Sequence, residues 1–76
     1  MNKTRRKNLQ NIISKVQDIH GELECFTYEE EEYRDNIPEN MQSSDRYEKA
    51  SEAADSLREA LDHFENAIEY IESAIE

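Results

Sequence analysis

Two interleaved stripes at helical spacing run from Asp45 to the final residue, one apolar and one acidic. The apolar stripe is Tyr47, Ala50, Ala54, Leu57, Leu61, Phe64, Ile68, Ile71 and Ile75, in steps of three and four. The acidic stripe is Asp45, Glu48, Glu52, Asp55, Glu59, Asp62, Glu65, Glu69, Glu72 and Glu76, in the same steps. A helix turning every 3.6 residues puts the first set on one face and most of the second on the other. This pattern predicts a long helix over about 45–75, apolar on one side and strongly negative on the other.

A second helix of the same kind is predicted over about 4–34. Leu9, Ile12, Val16, Ile19, Leu23, Phe26 and Tyr33 alternate by threes and fours, with Ile13 widening the stripe and Glu30 interrupting it. Gly21 lies inside this helix and costs roughly 1 kcal/mol relative to Ala. It permits either a close helix approach or a mild kink, or it is simply tolerated. Between the helices, about 35–44, stands Asp35-Asn36-Ile37-Pro38-Glu39-Asn40-Met41-Gln42-Ser43-Ser44. Asn36 suits a left-handed cap, and Pro38 disfavours helix at Ile37. Ser44 is a good N-cap, with Asp45 and Glu48 well placed in the first turn. Ile37 and Met41 are expected to fold back over the hairpin end, with Tyr33 and Tyr47 in its core.

Two helices of this length, joined by so short a break, should pack antiparallel as an all-α, coiled-coil-like hairpin in a single domain, 1–76. Ala53, Ala60, Ala67 and Ala74 recur every seven residues beside the second helix's stripe. Together they make an apolar face too wide for one partner helix. The expectation is self-association, most simply a homodimer forming a four-helix bundle through Leu57, Leu61, Phe64, Ile68 and Ile71. The alternatives are a monomeric hairpin or a third contact from another protein.

The formal charge of −10 is unevenly placed. Lys3, Arg5, Arg6 and Lys7 hold four of the nine basic residues, so from Asn8 onward five basic residues face nineteen acidic ones, a net −14. Such a surface repels nucleic acid and anionic membrane and attracts basic proteins. An antiparallel hairpin sets Arg5, Arg6 and Lys7 near Glu69, Glu72 and Glu76, which explains the basic cluster without a ligand. Nucleic-acid or membrane binding by that cluster is the alternative, and four basic residues without interleaved aromatics are a weak footprint. At the turn end, Glu29 to Glu32, Asp35, Glu39, Asp45 and Glu48 crowd together. Carboxylates at a helix C-terminus are unfavourable there. They are either a solvated charge run or a docking surface for a basic partner. The acidic stripe repeats about every 5 Å along a helix, a spacing of the same order as phosphates on a DNA strand.

Little in the chain suggests chemistry. His20 and Glu24, and Glu59 and His63, are i,i+4 pairs, one residue longer than the Glu-x-x-His of di-metal bundles. Both histidines are expected to flank the apolar stripe, so no metal and no cofactor is expected. Cys25 has no partner for a disulfide and no oxyanion loop, and reads as a small, partly buried side chain. No phosphate loop or catalytic triad pattern occurs. Tyr28 and Tyr70 fall off the stripes, as exposed interface anchors or as rings lying over the seam. The apolar residues of the N-terminal region are spaced, not continuous, so neither a signal peptide nor a membrane span is expected and a cytoplasmic location is the default.

The segment Glu29 to Ala50, with its acidic run, Tyr33, Asp35-Asn36-Ile37-Pro38-Glu39-Asn40, Ser44 and Tyr47-Glu48-Lys49-Ala50, followed by the Ala-rich helix, resembles a group of small acidic proteins of bacteriophages and prophages. The resemblance spans about Leu23 to Ile75. It carries over no active residue. It implies an accessory factor that binds and blocks a host protein in the bacterial cytoplasm, for instance by acidic mimicry of nucleic acid against a nucleic-acid-guided defence system. The expected function is therefore non-enzymatic: an acidic surface, with contacts at Glu30, Glu31, Glu32, Asp35, Glu39 and Asp45, occludes a basic, nucleic-acid-binding protein. The rival expectation is an assembly module that acts only through its apolar seam.

Overall fold

The computed structural model describes all residues, Met1–Glu76, as an antiparallel helical hairpin without strands. Helix α1 runs Lys3–Asp35 and helix α2 runs Asp45–Ile75, with a short 3-10 turn at Glu39–Met41 between them. The molecule is a rod with Cα extents of 59 × 16 × 13 Å. No helix is long and apolar enough to cross a membrane.

The ends of the helices follow from local chemistry. Ser44 caps α2 by accepting a hydrogen bond from the Tyr47 N–H at 3.3 Å, and Asp45 and Glu48 lie in the first turn. Asn2 caps α1 in the same way, accepting from the Arg5 N–H at 2.7 Å. Asn36 does not adopt the left-handed conformation expected of it. Its φ is −85°, and its N–H donates to the Glu32 carbonyl at 3.0 Å. The helix thus closes its last turn with an ordinary right-handed residue before Pro38 ends it. Ile37 folds back and is buried, whereas Met41 stays exposed on the 3-10 turn.

Helix α2 presents the expected face: Ala50, Ala54, Leu61 and Ile68 are buried, and Leu57, Phe64, Ile71 and Ile75 are half-buried. Helix α1 is rotated from the expected orientation. Its inward rows are Leu9, Val16, Leu23 and Glu30, and Arg6, Ile13, His20, Thr27 and Arg34, all half-buried or buried. The expected seam residues Ile12, Ile19, Phe26 and Tyr33 are exposed instead. The reason lies in side-chain size. Thr27 and Ala54 are each 0% exposed and Leu61 is 3% exposed. Small residues buried on each helix leave room for close packing, which the bulk of Phe26 in the inward row would not. The Thr27 hydroxyl donates to the Leu23 carbonyl at 2.8 Å, so this buried donor is satisfied. Gly21 has open space around it. A methyl group on its α-carbon would meet no atom within 4 Å, so the close-approach explanation fails.

Candidate functional site

Polar contacts between the helices fix which rows share a side of the hairpin. Arg58 grips Glu31 through two hydrogen bonds, 2.9 Å from Nε and 2.7 Å from a terminal nitrogen, and its guanidinium lies 5.0 Å from the Tyr28 ring centre. His20 Nε2 lies 3.1 Å from Glu65 Oε1 on the same side. The opposite side is marked by Arg46, which donates to the Tyr33 hydroxyl at 2.8 Å with its guanidinium 5.2 Å from that ring. Rows of a paired helix recur every seven residues. The Tyr33 row is Ile12, Ile19, Phe26 and Tyr33, and the Arg46 row continues as Ala53, Ala60, Ala67 and Ala74. One side of the rod is therefore apolar on both helices. The other carries Gln10, Gln17, Glu24 and Glu31 from α1, and Ser51, Arg58, Glu65 and Glu72 from α2.

The six turn-end carboxylates do not act as one group. Glu31 is held by Arg58, and Asp35 is held by the Arg34 Nε at 3.0 Å. Glu32, Glu39 and Asp45 are exposed and Glu30 is half-buried, and none of these four has an ionic partner. Donation by Arg58 holds the Glu31 carboxyl below its ordinary value, and the same bond raises the Arg58 guanidinium. Because the folded state favours ionised Glu31, the pair stabilises the hairpin above the ordinary carboxylate value, and that contribution is lost as pH falls through the depressed value. Glu31→Gln should therefore lower the melting temperature at neutral pH, and the difference from wild type should close as the solution is acidified. Circular dichroism melts across that range check it.

Along α2 all ten stripe carboxylates, from Asp45 to Glu76, are exposed, and none pairs with Lys or Arg. Only histidines stand near them, His20 by Glu65 and His63 at 3.9 Å from Glu59. The basic cluster does not neutralise the end of this stripe. Arg5, Arg6 and Lys7 form no ion pair with Glu69, Glu72 or Glu76, which corrects the sequence-based pairing. The register explains why. With His20 level with Glu65, the first turns of α1 overhang the end of α2 by roughly 5–10 Å. Arg6 is half-buried, with its Nε lacking a hydrogen-bond partner.

His20 faces α2 instead of flanking the seam, its side chain 18% exposed. No cluster of three His, Cys, Asp or Glu side chains is arranged to hold a metal. Cys25 is exposed, not partly buried. Leu61 and Ile68 are covered by α1 within the hairpin, so of the five seam residues only Leu57, Phe64 and Ile71 keep exposed surface. A shallow hollow of about 400 Å³ opens on the apolar side between Ala60, His63, Phe64 and Ala67. The Arg58–Glu31 clamp has no signature in the sequence, because its partners are 27 residues apart and only the hairpin register brings them together. Comparison of the chain with family models, curated proteins and solved structures finds no match.

Proposed function

We propose that this protein is a non-enzymatic protein-binding factor whose acidic surface occludes a basic, nucleic-acid-binding protein. The observation that carries the reading is the unneutralised stripe: ten exposed carboxylates along one rigid helix without a single Lys or Arg partner. A straight helix presents them about every 5 Å, and an unpaired charge ladder gains most when a cationic surface displaces its counterions. The exposed turn-end residues Glu32 and Glu39 extend the ladder, which begins at Asp45, around the tip. The likeness of the Glu29–Ala50 segment to small phage proteins supplies the context of a host-directed blocker in the bacterial cytoplasm.

The test is reversal of Glu32, Glu39 and Asp45 to Lys in one chain, which moves the formal charge from −10 to −4, two units per substitution. Wild type immobilised in bacterial lysate should retain a basic protein that salt elutes and duplex DNA displaces. The triple variant, with unchanged helicity, should lose it. Equal retention by both chains would rule the acidic docking surface out. The uncovered apolar side favours a second reading, an assembly module, in which these reversals leave binding untouched.

A further inference from the structure

We propose that the apolar side of the hairpin is covered by a second copy of the chain, with Phe26 of each copy seated in the Ala60–His63–Phe64–Ala67 hollow of the other. This contact uses the opposite side of the rod from the acidic docking surface and does not depend on it. The two rows on this side, of which Ala53 and Ala60 are half-buried and the rest exposed, are complementary in size and in register. One row is large: Ile12, Ile19, Phe26 and Tyr33, each more than 40% exposed, with Phe26 at 62%. The other is uniformly small: Ala53, Ala60, Ala67 and Ala74. The His20–Glu65 contact sets their levels. The Tyr33–Arg46 and Glu31–Arg58 contacts bracket that register from either side, so to within about one helical turn Tyr33 stands level with Ala53, Phe26 with Ala60, Ile19 with Ala67 and Ile12 with Ala74.

A two-fold axis parallel to the rod preserves those levels and lays α1 of one copy over α2 of the other. Each large side chain then meets an alanine of the partner, and every helix is antiparallel to its neighbours in a four-helix bundle. Phe26 arrives at the hollow beside the partner's Ala60. The alternative axis, perpendicular to the rod, sets the large row against itself and the alanines against themselves. That would demand a wide separation on one edge and a narrow one on the other. The apolar rows run from Ile12 to Tyr33, about 32 Å at 1.5 Å per residue, which across the 16 Å width makes roughly 500 Å² per copy and about 1,000 Å² in total, the lower bound for a specific, well-matched interface. The α2 carboxylates stay outward in this arrangement. The like-charged turn ends come side by side, a repulsion between exposed charges that salt screens.

The arrangement makes a complementation test possible. Phe26→Glu and Ala60→Lys each place a charge at the interface while sparing the hairpin's buried core, and each should weaken self-association by at least ~30-fold, the loss of a central anchor. Both should remain fully helical and sediment as the 9.0 kDa monomer. Mixed in equal amounts, they should recover a dimer. The carboxylate introduced in one chain then meets the ammonium introduced in the other, while the second contact keeps Phe26 on Ala60. A monomeric wild type at ~100 μM would overturn the proposal. So would a wild-type dimer whose two variants dissociate but fail to recover on mixing, the result the perpendicular axis gives.

Discussion

Leu61→Ala should lower the stability of the folded hairpin by about 3 kcal/mol, within the range of large-to-small changes at fully buried sites. Leu61 is 3% exposed and belongs to a core of only five buried apolar residues. A chain of this length has little stability in reserve, so the variant should be partly unfolded at room temperature. The cavity cannot collapse easily, because the Arg58–Glu31 clamp, one turn away along α2, pins the helices there. Urea titration followed by circular dichroism measures the loss. It is best done in the Phe26→Glu background, where association cannot add a concentration-dependent term. Tyr70→Ala is the matched control: at 78% exposed it should shift stability by less than about 0.5 kcal/mol.

Ala54→Leu should destabilise by about 2 kcal/mol through the opposite fault, overpacking. Ala54 is 0% exposed, facing α1 where Thr27 is also 0% exposed. Added carbons there force the helices apart or drive the side chain off its rotamer. Separation also strains the Arg58–Glu31 clamp, because Arg58 is one turn further along α2. The mechanism predicts coupling: trimming the buried residue of α1, as Thr27→Ala/Ala54→Leu, should restore roughly 1 kcal/mol of the loss. Additive losses in the double variant would show that the two side chains do not share the same space.

The two helices differ in how far their packing can be read from the sequence. In α2 the apolar residues fill two adjacent inward rows and one flanking alanine row, with carboxylates opposite, so its seam is legible directly from the spacing. Its N-cap, Ser44, is legible as well. In α1 the apolar residues fill three rows: Leu9 with Val16 and Leu23, Ile12 with Ile19 and Phe26, and Ile13 alone. Spacing permits two rotations of such a helix. The choice between them is made by the partner helix, through burial of the small Thr27 and Ala54 and the pairing of Glu31 with Arg58, and neither has a local signature. The same rotation moves His20 inward and turns Phe26 and Tyr33 outward. Among the acidic candidates, exposure follows from charge, but the withdrawal of Glu31 and Asp35 into ion pairs does not. The overhang that keeps Arg5, Arg6 and Lys7 from the α2 carboxylates follows from the length of the turn and the hairpin register together.

The acidic and apolar characters of this chain occupy separate sides of the rod, and the central proposal is that a second copy closes the apolar side. Sedimentation equilibrium of the wild-type chain in low and high salt tests it most directly. The expected result is a species of twice the 9.0 kDa chain mass that persists, or tightens, as salt rises, because burial of apolar surface holds it and like charges oppose it. A monomer in both buffers, or a dimer that dissociates as salt rises, would contradict it.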